Sequence, residues 1–265
     1  MISVFDIFKI SIGPSSSHTV GPMKAGKHFV DTLQEKGLLQ KVNRLVVDVY
    51  GSLSLTGKGH HTDIAIILGL SGYLPDTVDI DAIPGIIRDV NTMHRLFIEE
   101  GQREIQFPVA ECMRFHNEFL PLHENGMSIT AFCDGKIAHF QTYYSIGGGF
   151  IVTEENFGKN QDAEVDIPFP FYSARNLLAH CHDNCLSISA VMMKNEIARH
   201  GRESVEQNMA KIWETMRNAI NRGMNTEGIL PGPLKVPRRA SALHRVLAPQ
   251  SQSITPLSAM DWVNM

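Results

Sequence analysis

Short apolar runs alternate with runs at helical period through the first half of the chain. Arg44 to Tyr50 (RLVVDVY) reads as a buried strand closed by Gly51. Thr62 to Leu70 predicts an apolar helix, Val78 to Ile80 a short strand, and Ile83 to Glu100 a longer helix with Pro84 in its first turn. Met127 to Cys133 and Ile137 to Tyr144 alternate on either side of Asp134-Gly135, the strongest hairpin signal in the sequence. Phe150 to Val152 continues that sheet past Gly147-Gly148-Gly149.

Beyond a polar stretch with Pro168 and Pro170, the strand signals stop. Ser173 caps a helix running to about Asp183. Ser187 to His200, Glu203 to Arg222 (closed by Gly223) and Pro237 to Leu247 follow at helical period. The expected organisation is an α+β N-terminal domain over 1–155, a linker over 156–170, and an all-α segment over 171–265. Ser258 to Met265 begins as a capped apolar helix and stops within two turns. That is either a docked terminal turn or a helical domain cut short.

Composition narrows the function classes. At 43% hydrophobic and 20% charged, the 265 residues match a globular protein rather than a disordered or coiled-coil one. With 24 Lys and Arg against 28 Asp and Glu, no broad basic face is expected, and hence no nucleic-acid partner. The longest apolar run, Ile64 to Leu70, is far below the roughly 18 to 20 residues of a membrane span, and MISVFDIFKI lacks the features of a signal peptide. Cys112, Cys133, Cys181 and Cys185 do not make a disulfide framework, so a cytoplasmic protein with reduced thiols and no membrane partner is expected.

Four stretches carry candidate chemistry. Gly13-Pro14-Ser15-Ser16-Ser17-His18-Thr19 leads into a helical pattern; its hydroxyls and amides suit a carboxylate or phosphate, or Ser15 to Ser17 serve simply as a cap. Gly57-Lys58-Gly59-His60-His61-Thr62-Asp63 places two histidines at the start of an apolar helix, where positive potential favours neutral imidazole; a metal pair and a plain cap are the alternatives. His123-Glu124-Asn125-Gly126 stands at a strand entrance and is either a site or a turn. The stiff loop from Asn225 ends in Arg238 and Arg239, which could clamp a carboxylate or form surface ion pairs. Cys181 and Cys185 have ligand-like spacing but are too few for a metal site, and read as packing residues.

Taken together, SIGPSSSHTVGPMKAG, VDVYGSLSLTGKGHHTDIAI, FHNEFLPLHENGM, TYYSIGGGFIV and RGMNTEGILPGPLKVPRRA resemble the iron–sulfur-dependent bacterial L-serine dehydratases of single-chain type, collinearly over essentially the whole chain. The resemblance implies conversion of L-serine to pyruvate and ammonia without pyridoxal phosphate, a step of amino-acid catabolism that feeds gluconeogenesis, in a cytoplasmic homodimer. It implies an α+β domain followed by a helical domain holding a [4Fe–4S] cluster, whose iron polarises the substrate hydroxyl. By resemblance, His60 and His123 match the acid–base histidines. Ser15, Ser16, Ser17, His18 and Thr19 match the substrate loop, with Asn125, Arg238 and Arg239 as further substrate-binding residues, while His61 has the weaker claim. The family's cluster cysteines lie downstream of residue 265, and none of the four cysteines here falls on them. The expectation is therefore the first part of a longer enzyme with no metal ligands of its own. The alternative is an inactive relative that retains small-carboxylate binding or pairs with an intact paralogue. A pyridoxal-phosphate lyase is disfavoured because Lys24 and Lys27 fall within the helix after the serine run.

Overall fold

A computed structural model describes residues 3–13, 15–159, 165–230 and 235–247. The segment 258–265, with its abruptly ending apolar run, lies outside the described residues. Two compact units result among the described residues: one within 4–159, and one within 165–247 together with Ser3.

In the first unit, a short helix α1 (Val4–Ile7) precedes a π-helical turn (Ser16–Val20) that runs directly into α2 (Gly21–Glu35). Strand β1 (Arg44–Val49) is followed by α3 (Gly51–Leu55), α4 (Gly57–His60), α5 (Thr62–Leu70) and α6 (Ile83–Met93). A ribbon of β2 (Arg95–Ile98) and β3 (Arg103–Gln106) leads to α7 (Val109–Cys112) and β4 (Met113–Phe115). The long hairpin β5 (Gly126–Cys133) and β6 (Lys136–Gly147), with β7 (Phe150–Thr153), completes the main sheet in the order β4-β1-β5-β6-β7. β4 lies parallel to β1 and the other neighbours are antiparallel.

Period-2 side-chain alternation puts Leu45, Val47 and Val49 of β1 with Met127, Ile129 and Ala131 of β5 on one sheet face. All are buried with Phe29, Val30 and Leu33 of α2 and Ile66, Ile67 and Leu70 of α5. α2 and α5 cross at glycines. A Cβ on Gly69 would lie 2.1 Å from the carbonyl oxygen of Met23, and one on Gly26 would lie 2.9 Å from the amide nitrogen of Leu70.

The β5–β6 hairpin forms as expected, with Asp134 and Gly135 at φ 50° and 77°, the left-handed pair a two-residue turn requires. Two expectations fail. Val78 lies in a turn and is buried against Met23, Ala65 and Leu68 instead of forming a strand. The helix beginning at Ile83 stops at Met93, because His94 turns left-handed (φ 53°) and the chain reverses into β2.

The second unit is helical: α8 (Ala174–Asp183), α9 (Ile188–His200), α10 (Arg202–Asn225) and α11 (Ala240–Leu247). Ser173 and Ser187 cap α8 and α9 through their side chains. α10 runs through Gly223, where the sequence suggests its end. Buried Asn195 pairs with both main-chain polar groups of Phe169, accepting its N–H at 2.9 Å and donating to its carbonyl at 2.8 Å. An α+β unit followed by helices is the architecture read from the sequence.

Candidate functional site

The site is assembled where β1 ends. Gly51 takes a left-handed conformation (φ 54°) and turns the chain against the loop that leads into β5; a Cβ there would stand 2.2 Å from the carbonyl oxygen of Glu124. Gly51 N–H donates to Glu118 O and Ser52 N–H to Glu124 O, which fixes α3 beside the His123–Asn125 segment. Sequence reasoning passes over Ser52; its only signal is its position directly behind a buried strand.

The three serines divide their work. Ser15 caps the π-helical turn, its hydroxyl accepting the His18 N–H at 3.1 Å, and the Thr19 N–H bonds Ser15 O. Two of the amides expected to cradle an anion are therefore already satisfied. Ser16 O accepts the N–H of Gly21. Ser17 Oγ lies 2.9 Å from His18 Nδ1, and His18 Nε2 reaches Ser52 O at 3.3 Å and Ser52 Oγ at 3.1 Å. Because a carbonyl can only accept, Nε2 of His18 carries the proton and Nδ1 accepts from the Ser17 hydroxyl.

His60 is the last residue of α4 and His61 the left-handed joint (φ 58°) before α5. The two histidines thus straddle a break instead of opening one helix, and only His60 is in ring contact with His18, at a centroid distance of 4.9 Å. Two threonines bind the segments crosswise. Thr19 Oγ1 donates to His60 O (3.2 Å), and Thr62 Oγ1 donates to His18 O (2.7 Å). The His60 Nδ1–H donates to Thr56 O at 3.0 Å, so Nε2 is the nitrogen that carries the lone pair whenever the ring is uncharged. His123 has the opposite tautomer: its Nδ1 accepts the Asn125 N–H at 3.1 Å, so Nε2 bears the hydrogen.

Asn125 is buried, donates through Nδ2 to Ser145 O at 3.3 Å, and has an Oδ1 without a hydrogen-bond partner among the described residues. A buried unmet acceptor costs about 1–3 kcal/mol, so this carbonyl is an open position for a donor. Burial, and next the proximity of His60, hold the His18 pKa below 6.5 against the opposing pull of Ser52 O and Glu124, which favours the uncharged ring.

His60, His123, Ser15, Ser16, Ser17, His18, Thr19 and Asn125 all belong to the first unit, and hydrogen bonds through Ser52, Thr62 and Ser145 connect their segments. Arg238 and Arg239 belong to the helical unit. There Arg238 N–H donates to Gly228 O (2.8 Å), and Arg239 O accepts from Leu243 N–H (3.0 Å) at the start of α11.

Among the described residues no three His, Cys, Asp or Glu side chains stand where they could hold a metal ion. All four thiols are free, and burial pushes the pKa of Cys112 up, the opposite of what a cluster thiolate needs. These residues do not fit a [4Fe–4S] cluster. No helix among the described residues is long and apolar enough to cross a membrane.

The chain matches the family model of the serine dehydratase beta chain over residues 3–156 and that of the alpha chain over 183–265. It is 62% identical to L-serine dehydratase 2 of Escherichia coli K12 along its whole length, which covers 58% of that protein. Identity is 60% with L-serine dehydratase 1 of the same organism and 41% with the L-serine dehydratase of Streptomyces coelicolor, again over the whole chain and 59% and 58% of those proteins. The chain therefore spans less than two thirds of the length of these curated relatives. With one beta-chain match across the sheet unit that carries the histidines and one alpha-chain match across the helices, the chain belongs to the serine dehydratase family.

Proposed function

We propose that this chain supplies the substrate-holding and proton-transfer residues for dehydration of L-serine. The observation that carries the reading is the opposite tautomers of His60 and His123. His60 Nε2 has a lone pair and takes the proton from Cα. His123 Nε2–H gives its proton to the departing β-hydroxyl, so that water leaves and a Cα–Cβ double bond forms. The aminoacrylate product tautomerises to the imine, which water converts to pyruvate and ammonia. The unmet Asn125 Oδ1 is the acceptor for the substrate ammonium, and the hydroxyl-rich turn Ser15–Thr19 takes the carboxylate.

The family resemblance also implies a [4Fe–4S] cluster, a cytoplasmic setting and a homodimer. The cluster would draw its ligands from outside the described residues, and no step above runs through it. The second reading is a chain that binds serine without turning it over. It is favoured by the buried, unmet Asn125 Oδ1, which needs a bound donor but no turnover.

Calorimetric titration of this chain with L-serine tests the proposal. Saturable binding that Asn125→Ala weakens at least about tenfold is expected, since a hydrogen bond to a charged group contributes about 1.5–3 kcal/mol and each 1.4 kcal/mol is about tenfold. A folded chain that takes up no L-serine overturns the reading. Binding without pyruvate release supports the second reading for the chain alone. Turnover after anaerobic treatment with iron and sulfide would overturn the assignment of the cluster ligands elsewhere.

A further inference from the structure

Ser145 is 3% exposed and sits where β6 parts from β5: Tyr144 still pairs with Gly126, and Ser145 pairs with Ile151 of β7 instead. Its main chain holds the His123–Asn125 segment, since Ser145 N–H donates to Asn125 O at 2.9 Å and Ser145 O accepts from Asn125 Nδ2 at 3.3 Å. Its side chain holds the serine-bearing turn, the hydroxyl donating to Ser17 O at 2.7 Å. Gly21, the first residue of α2, leans on it so closely that a Cβ there would fall 2.1 Å from Ser145 Oγ and 2.8 Å from its Cβ. One residue thus joins two segments that are 20 and 128 positions away in sequence. Ser17 in turn orients His18, which packs against His60, while Asn125 sets the tautomer of His123.

We infer that Ser145 is a positioning residue that keeps the serine-bearing turn and the His123–Asn125 segment in one register, so that the proton acceptor and the proton donor face the same substrate. The inference rests on the serine-dehydrating reading for its purpose, but the structural link stands without it.

Ser145→Ala deletes the hydroxyl bond to Ser17 O and leaves both main-chain bonds to Asn125 in place. Nitrogen-15 spectra of the histidine rings report the tautomers directly, and calorimetry with L-serine reports the consequence. In Ser145→Ala the ring signals of His18 and His60 shift or double, and L-serine affinity falls about tenfold, the loss of roughly one buried hydrogen bond. Thr142→Ala, which removes another buried hydroxyl from the same strand, leaves both unchanged. Unshifted His18 and His60 signals in Ser145→Ala overturn the inference whatever happens to the melting temperature, as does unaltered L-serine affinity with shifted signals. If Ser145→Ala does not fold, Gly21→Ala displaces the same hydroxyl from the other side and must move the same two signals; unmoved signals overturn the inference equally. Shifted signals in a chain that, unmutated, binds no L-serine sink the proposed function and leave the positioning role standing.

Discussion

Which nitrogen of an uncharged imidazole donates and which accepts is selected by what its partners can do, and four of the histidines in the sheet unit have such a partner in the backbone or a neighbouring side chain. His60 spends Nδ1 on Thr56 O, His123 spends Nδ1 on the Asn125 N–H, His18 bridges Ser17 and Ser52, and His28 Nδ1 meets Tyr143 OH at 2.9 Å. Two rings are also held below the ordinary 6.5: His18 by burial and next by His60, His139 by burial and next by Lys36. An unfolded chain takes up these two protons near pH 6.5, whereas the folded chain resists until a lower pH. The unfolded state therefore binds more protons in between, and stability falls as pH drops below about 6.5. Urea midpoints followed from about pH 7.5 to pH 5 should decline, and His139→Gln should flatten part of that decline. A midpoint independent of pH over this range would contradict the burial argument.

At the scale of elements, α2 and α5 cross at backbone contact in the core. Alanine at position 69 gains about 0.5–1 kcal/mol of helix propensity over glycine. It also drives a Cβ to 2.1 Å from Met23 O, and forcing backbones apart in a packed core costs about 1–3 kcal/mol. The clash is the larger effect, so Gly69→Ala should lower the denaturant midpoint; a raised midpoint would show that the helices can separate freely. The elements legible in the sequence are those whose signal is local. β1 has its valine-rich run closed by Gly51, the hairpin has Asp134-Gly135, and α8 and α9 have cap serines whose side chains make the bonds expected of them. The end of α6 was not legible, because His94 breaks the helix with no glycine or proline to announce it, and four-residue β2 is too short to show period 2 against a helical background. The site shows the same division. His18, His60, His123 and Asn125 stand out as unusual residues in unusual runs, but Ser52, Thr62 and Ser145 are ordinary residues whose part is set by long-range contacts that no spacing encodes.

Across the whole molecule, apolar burial is uneven. The sheet unit places Phe29, Leu33, Leu45, Leu53, Ile66 and Tyr143 among its fully buried side chains, whereas in the helical unit the buried apolar residues among those described are Ile167, Val191 and Val205. Along α10, Met209, Trp213, Met216 and Ile220 are exposed at helical spacing, with Trp213 at 61%. Local opening follows the number of buried apolar contacts that must be broken. Amides of α10 should therefore exchange with deuterium well before those of β1 and β5, in one experiment on the intact chain read by mass spectrometry. Equal protection of α10 and β5 would refute this.

The crosswise threonine bonds bear on how the histidine segments can move. With Thr19 fastened to the backbone of His60 and Thr62 to that of His18, neither loop can swing without dragging its counterpart. The two imidazoles therefore move together, and Ser145, bonded to both Asn125 and Ser17, ties the His123 segment to them as well. Severing both ties, with valine in place of each threonine, would turn a single rigid wall into two independent flaps.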